Sequence, residues 1–271
     1  MTELIKNLMS LPPLASVHGG NVDRLILYIH YLMAALFLIW IIYFAYALFR
    51  FSAKRNPRAS YSGYQGHATT WMEIGVAVIE GVLLVALAIP LWANAADGFP
   101  EEFDKDGALV LGKDGKPAVT AIRITAQQFA WNSRYPGADR KFGQPSLNLL
   151  SADTPLGMDK KDPIAKDDVI PPLNEMMVPV DKPVILHISS LDVIHAFSCH
   201  PFRIAQDAIP GVSIATHFIP TRVGDYQITC AQLCGNSHYF MKGFFKVRSE
   251  ADYEEWLAKQ PKYGGAGTSF E

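Results

Sequence analysis

The residues best suited to chemistry lie in one short segment, Thr229–Met241, which reads TCAQLCGNSHYFM. The segment contains the pattern Cys-x3-Cys-x3-His-x2-Met, in which two thiolates, an imidazole and a thioether form a soft ligand set suited to copper. Two thiolates four residues apart can each bridge two metal ions and so form a compact Cu2S2 core. Because an electron can delocalise over such a core, its oxidation or reduction requires little change in geometry. The segment therefore predicts a one-electron relay.

Two bridged copper ions also need terminal ligands. His238 and Met241 supply two of them, and we predict His195, at the end of a strand thirty-five residues before Cys230, as a third. The backbone carbonyl of Gln232, which lies between the cysteines, is a candidate to complete the set. The prediction is a binuclear, mixed-valence copper centre of the CuA type, with the ligands His195, Cys230, Gln232, Cys234, His238 and Met241.

Other kinds of site also fit part of this pattern. A disulfide between Cys230 and Cys234 would suit an external domain. Two cysteines and two histidines form a good tetrahedral zinc set, although the thioether of Met241 favours copper. Copper-delivery proteins with a thioredoxin-like fold pair Cys-x3-Cys with a remote histidine. They do not need the closely following His238 and Met241, and they alternate strands with helices.

Two long apolar segments near the N-terminus predict the elements that anchor this site. Leu25–Phe49 contains no Asp, Glu, Lys or Arg, and as a helix it would span about 37 Å, which is enough to cross a bilayer. Trp71–Ala95 is similar but contains Glu73 and Glu80. The loop between the two segments is basic, and the positive-inside rule therefore places it in the cytoplasm. Its basic residues are Arg50, Lys54, Arg55 and Arg58.

The part of the chain after residue 118 consists of short runs rich in β-branched and aromatic residues, which predict a β-sandwich or barrel. Segments 107–118 and 137–170 are predicted as surface insertions. The net charge of −2 gives no basis for nucleic-acid binding. The predicted order is an external segment at 1–24, a transmembrane hairpin at 25–95 (helices 25–50 and 71–95, cytoplasmic loop 51–70), an external domain at 96–250, and a short helix with a flexible tail at 251–271.

These features resemble cytochrome c oxidase subunit II, the family of heme–copper oxidase subunits that carries CuA. Its motifs DV-x-HS-F, D-x-IPG and C-x-E-x-CG-x-x-H-x-x-M are matched in order by residues 192–197, 207–211 and 230–241. The resemblance covers most of the chain. It implies a membrane-anchored all-β protein, in which a two-helix hairpin is followed by a cupredoxin-like Greek-key sandwich or barrel.

The function that this resemblance implies is electron entry into an aerobic respiratory terminal oxidase. Cytochrome c, or a dedicated cytochrome donor, would reduce the copper centre, and heme in subunit I would then receive the electron for oxygen reduction coupled to proton translocation. The implied partners are subunit I, other oxidase subunits and membrane lipid. The implied location is the bacterial inner membrane, with the C-terminal domain periplasmic. The CuA subunit of a nitric oxide reductase and a membrane-anchored copper-delivery protein remain alternatives.

Three departures from the family pattern limit which properties of the family the resemblance implies for this chain. Gln232 replaces the usual Glu, and because a neutral amide is a poorer ligand for a hard cation, the Mg²⁺ site at the subunit I interface is placed in question. Phe129 stands where the family has its entry Trp, while Trp131 keeps the second aromatic position. Both are electron-relay candidates, and Phe129 predicts an altered docking patch or donor.

The third departure lies in the second apolar segment. Glu80 stands where the family has a proline, seven residues after Glu73, so both glutamates lie on one helix face. A role in proton uptake and a structural hydrogen bond between subunits are both open for Glu80. Elsewhere, Asp192 and Asp207 are predicted to form hydrogen bonds around the ligand loops, and Cys199 is predicted to be buried.

Overall fold

The computed structural model describes residues 8–58, 61, 63, 66–149, 156–159 and 161–264. It divides into two compact units, one built on Asn21–Asn94 and the other on Leu11–Gly20 and Ala95–Glu271. The predicted flexible tail lies outside the described residues from residue 265 onward.

The first unit is built from two apolar helices. Helix α1 begins at Gly19, six residues before the predicted start, and α2 is followed by a π-helical segment and α3 without a break. The bounds are α1 Gly19–Arg50, α2 Ala68–Leu83, the π-helix Leu84–Ala88 and α3 Ile89–Asp97. Both helical runs are long and apolar enough to cross a membrane. Glu73 and Glu80 are exposed on α2 among large exposed apolar side chains, which require lipid or partner subunits as cover.

The second unit is a sandwich of two β-sheets. One sheet has the strand order β2-β1-β4-β7 and the other β3-β9-β8-β5-β6. The strands are β1 Thr120–Gln127, β2 Ala130–Arg134, β3 Glu175–Pro179, β4 Val184–Ser190, β5 His195–Cys199, β6 Ile204–Ala208, β7 Ile214–Phe218, β8 Gly224–Cys230 and β9 Lys242–Arg248. The chain also forms two short helices, α4 Pro163–Lys166 between β2 and β3 and α5 Glu250–Ala258 after β9. The predicted all-β, cupredoxin-like architecture is confirmed.

The core lies between the two sheets. Alternate residues of β1, such as Ile122 and Ile124, are fully buried and cluster with Phe197 of β5 and Phe245 of β9. Burying each such side chain contributes about 1.5–3 kcal/mol, so the alternation of apolar residues sets the register of the strands. Trp131 of β2 is among the largest fully buried side chains.

Strand β1 is also covered on its outer face, by segments that the sequence presents as insertions. Ala121 of β1 and Ile185 of β4 cluster there with Leu109 and Phe142. The prediction that 137–170 is a surface insertion is therefore wrong for part of that span. The physical reason is that β1 and β4 carry apolar side chains on both faces, and the second face also has to be removed from water.

Part of the predicted external segment 1–24 belongs to the β-domain. The backbone N–H of Ala15 donates to the carbonyl of Pro201 at 2.8 Å, and that of Val17 donates to the carbonyl of Ile219 at 3.1 Å. The Ser16 hydroxyl is buried and donates to the carbonyl of Phe202 at 2.7 Å. Residues 11–20 are thus held on the sandwich by hydrogen bonds.

Candidate metal centre

The predicted ligand side chains come from two adjoining parts of the second sheet. His195 is the first residue of β5, Cys230 is the last residue of β8, and the other three lie in the loop before β9. Strands β5 and β8 are antiparallel neighbours that pair Phe197 with Cys230. This pairing brings His195 beside Cys230 across thirty-five residues of sequence. The expectation that His195 ends a strand is wrong, because a turn at 191–194 precedes it.

The two cysteine sulfurs lie at the centre of the cluster. Their Sγ atoms are 3.8 Å apart and both thiols are free. His195 Nδ1 lies 3.9 Å from Cys230 Sγ, and His238 Nδ1 lies 3.5 Å from Cys234 Sγ. Each sulfur therefore has its own imidazole.

Two further donors complete the cluster. The thioether sulfur of Met241 lies 3.8 Å from Cys234 Sγ, and the backbone carbonyl oxygen of Gln232 lies 3.1 Å from Cys230 Sγ. Metal–thiolate bonds are about 2.3 Å long, so two sulfurs at this separation can bind the same ion. Six donors exceed the four of a tetrahedral zinc site, and the thioether favours copper. The donor set fits two copper ions that share two thiolates.

The orientation of His195 is fixed by Asp192. The buried ring donates its Nε2–H to Asp192 Oδ1 at 2.9 Å, which leaves Nδ1 directed at the sulfurs, as is typical of metal-bound histidines. Burial alone would raise the pKa of Asp192, but hydrogen bonds from His195, Gln128 and Val193 hold it below its usual value. The predicted hydrogen-bonding role of Asp192 is confirmed.

Without a metal, the surroundings of Cys234 favour its protonated thiol. Burial first, and then the neighbouring Cys230 thiol, raise the pKa of the Cys234 thiol to about 11. A cation bound to the Cys234 sulfur would replace its proton. The Cys234 sulfur is therefore suited to hold either a proton or a metal ion.

The two aromatic relay candidates occupy different positions around the ligands. Trp131 is fully buried and packs edge-on against His195, with ring centroids 6.2 Å apart. Phe129 is half-buried in the turn between β1 and β2, where its Cζ would lie only 3.1 Å from a Cβ placed on Gly235. Trp131 thus contacts the His195 side of the cluster, and Phe129 contacts the loop.

One residue of this region has no role in the sequence-based predictions. Gln128 donates its side-chain Nε2–H to the carbonyl of Cys234 at 2.5 Å and its backbone N–H to Asp192 Oδ2 at 2.7 Å. The available signal was its position immediately before Phe129 in the aromatic motif. Nothing in the sequence indicates which loop that turn approaches.

Large apolar side chains are exposed on the segments that carry the ligands. Leu233 and Tyr239 are 79% and 80% exposed, and Phe240 and Ile194 are also exposed. The side chain of Gln232 is exposed on the same loop. Large exposed apolar side chains of this kind are typical of a protein-interaction site.

The chain is similar to known proteins of one family. Residues 121–247 match the family described as "Cytochrome C oxidase subunit II, periplasmic domain". The "Alternative cytochrome c oxidase subunit 2" of Bradyrhizobium diazoefficiens is 29% identical over 253 residues, which are 93% of this chain and 84% of that protein. The "Cytochrome c oxidase subunit 2" of Cereibacter sphaeroides is 27% identical over 256 residues, or 90% of this chain and 78% of that protein.

A solved structure was also found to be similar. It is the periplasmic domain of subunit II of cytochrome oxidase (CoxB) of Bradyrhizobium japonicum, which is 29% identical. The match covers 52% of this chain and 92% of that chain, with a TM-score of 0.38.

Proposed function

Because this chain belongs to the cytochrome c oxidase subunit II family, we propose that it is the electron-entry subunit of a membrane-bound heme–copper terminal oxidase. The observation that carries the proposal is the pair of cysteine sulfurs 3.8 Å apart, with an imidazole nitrogen beside each. When bound, a binuclear copper centre supplies one-electron transfer between a cytochrome donor and the heme of subunit I, where oxygen is reduced with coupled proton translocation.

The chain's own residues hold and shield this centre. Cys230 and Cys234 would hold both copper ions through their thiolates, and His195, His238, Met241 and the carbonyl of Gln232 would supply the remaining ligands. Cys234, Met241 and His195 are buried, so their ligand atoms are held by packing and little water has to reorganise when the charge changes. Oxygen chemistry belongs to the partner subunit, and we assign no catalytic residue here.

The proposed setting is the bacterial inner membrane. The apolar faces of α1 and α2 contact lipid and subunit I, and the basic loop after Arg50 lies in the cytoplasm. The β-domain then lies in the periplasm, where a cytochrome c or a dedicated cytochrome can reach the copper centre. Because Gln232 offers an amide in place of a carboxylate, we expect any Mg²⁺ at the subunit I interface to be bound weakly.

Glu80 and Glu73 belong to the proton-translocating part of the proposal. Both are exposed on α2, where a charged group at mid-membrane costs about 2.5–3.5 kcal/mol unless a partner compensates it. Proton-pumping measurements on Glu80→Gln separate a role in proton uptake from a structural hydrogen bond between subunits. Lower pumping per electron at unchanged subunit content indicates proton uptake, whereas unchanged pumping with weaker retention of subunit I indicates a structural hydrogen bond.

Electron transfer into the copper-loaded full chain tests the proposed function. Reduced cytochrome c should bleach the near-infrared band of the oxidised chain, with one electron consumed for every two copper ions. The co-purifying subunit should contain heme and consume oxygen. Consumption of nitric oxide without oxygen would favour the reductase alternative, and a colourless copper-loaded chain would contradict an electron relay altogether.

A further inference from the structure

We propose that Gln128 is a positioning residue that holds together the two ligand-bearing segments of the copper centre, an inference that rests on the proposed function. Gln128 lies in the turn between β1 and β2, which belong to the sheet that carries no copper ligand. From this turn it forms one hydrogen bond toward the Cys234 loop and another toward the His195 segment.

The first hydrogen bond comes from the side chain. The Nε2–H of Gln128 donates to the carbonyl of Cys234 at 2.5 Å. The Cys234 sulfur lies 3.5 Å from His238 Nδ1 and 3.8 Å from both Cys230 Sγ and Met241 Sδ. Because Cys234 contacts three other donors, the hydrogen bond that fixes its peptide group also fixes the centre of the ligand cluster.

The second hydrogen bond comes from the backbone. The N–H of Gln128 donates to Oδ2 of Asp192 at 2.7 Å, while Oδ1 of the same carboxylate accepts from His195 Nε2 at 2.9 Å. The turn therefore orients His195 through Asp192. A substitution of the Gln128 side chain leaves this backbone bond in place and so isolates the effect on Cys234.

Close packing accompanies these two bonds. A Cβ atom at Gly235 would lie 2.8 Å from Gln128 Nε2 and 3.1 Å from the ring of Phe129, and Gly235 has a φ of +139°, which L side chains rarely adopt. A glycine is thus required at the point where the loop meets the turn. The positive end of the Gln128 Nε2–H dipole also faces the carbonyl of Cys234, one of the proposed bridging ligands. This dipole stabilises the reduced copper centre, because the reduced form carries one more electron than the oxidised form.

The test compares copper-loaded full chains carrying Gln128→Ala, Gln128→Glu and the control Gln227→Ala, which removes an exposed glutamine from β8. A net hydrogen bond of about 1 kcal/mol predicts roughly three- to tenfold faster copper release from Gln128→Ala to a Cu(I) chelator. At a fixed ambient potential its oxidised-to-reduced ratio should rise about threefold, equivalent to a potential lower by about 28 mV. Gln128→Glu should increase the rate of copper release and lower the potential further, because a carboxylate cannot donate a hydrogen bond and adds negative charge.

Three results would count against the proposal. Rates of copper release and redox potentials equal to those of the wild type in both Gln128 variants would overturn it. A lower melting temperature of the metal-free chain with an unchanged potential would also overturn it. Equal shifts in Gln227→Ala would overturn it too. A wild-type chain without a mixed-valence copper signal would instead reject the proposed function, and this inference with it.

Discussion

Two buried polar clusters of the β-domain differ in how their charges are balanced. The first cluster joins β2 to the 137–170 segment, where Arg134 donates to Asp168 Oδ2 at 2.6 Å and to the carbonyl of Gly143 at 2.8 Å. The Gly143 N–H donates to the same carboxylate oxygen at 3.0 Å. In the predicted copper cluster, the thiols of Cys230 and Cys234 face each other, and the ligand set contains no Lys or Arg.

The difference separates a structural cluster from a functional one. Burial raises the pKa of Asp168 to about 6, against the opposing effect of Arg134, so this cluster depends on both members being present. Folding alone completes it. In the proposed function the sulfur cluster is completed only by bound cations, and much of the loop that carries it is exposed. The ligand-bearing loop is therefore accessible from solvent, whereas the pair of Arg134 and Asp168 is closed within the β-domain.

The largest expected effect comes from the copper cluster. Cys234→Ser removes a bridging thiolate, and we expect loss of the mixed-valence signal and of oxygen consumption with the β-domain still folded. Elemental analysis of the copper content checks the loss of the metal centre. Circular dichroism checks that the β-domain is still folded. Cys199→Ala is the control, because Cys199 is buried in the core outside the ligand set. A mixed-valence signal in the Cys234 variant, or its loss in the control, would contradict the assignment.

The ion pair should show the opposite behaviour. Asp168→Ala leaves Arg134 buried without a counter-charge, and we expect a loss of about 3–5 kcal/mol in the free energy of unfolding. The copper signal of the folded protein should not change. Asp225→Ala, which breaks the exposed pair with Arg248, serves as the control and should cost at most about 1 kcal/mol. Urea unfolding measures both, and similar losses would remove the distinction between the clusters.

A smaller effect is expected where the fold positions a ligand. Asp192→Asn weakens the hydrogen bond that orients His195, and such changes typically reduce metal affinity about 10- to 100-fold. Competition with a chelator measures the affinity. Asp207→Asn is a matched control, because Asp207 was also predicted from the sequence to bond near the ligands but is exposed on β6. Equal affinity losses in both variants would point to a general charge effect.

The smallest effect is expected at the aromatic turn. Phe129→Trp restores the usual family residue without touching a ligand, so the copper spectrum should be unchanged. The rate constant for electron transfer from cytochrome c, or the preference between donors, should change by less than about tenfold, which is about 1.4 kcal/mol in activation free energy. Stopped-flow kinetics with two cytochromes measure both. Identical rates and donor preference would remove Phe129 from the electron path.

The sequence was most informative where residues that can bind a metal also lie close together in the chain. The donors Cys230, Cys234, His238 and Met241 could be grouped because they lie within one loop, and the strand periodicity was enough to predict the fold class. The start of β5 could not be placed, because the turn before His195 depends on a hydrogen bond from the Ser190 hydroxyl to the carbonyl of Val193. Such contacts follow from tertiary packing.

Longer-range features were beyond sequence reasoning for the same reason. The contact between Gln128 and Cys234 joins the two sheets across 106 residues. The pair between Arg134 and Asp168 joins a strand to a segment that looks polar and solvent-facing in sequence. In both cases a polar residue becomes informative only when the partner that the fold brings to it is known.

Electron paramagnetic resonance of the copper-loaded full chain, with metal content measured on the same sample, tests the central claim most directly. Two copper ions per chain and a seven-line hyperfine pattern, from one electron shared equally by two copper nuclei, are the predicted result. A four-line pattern from a single copper ion would contradict it. So would a sample that stays colourless and silent after oxidation, because the two thiolates would then not support a shared electron.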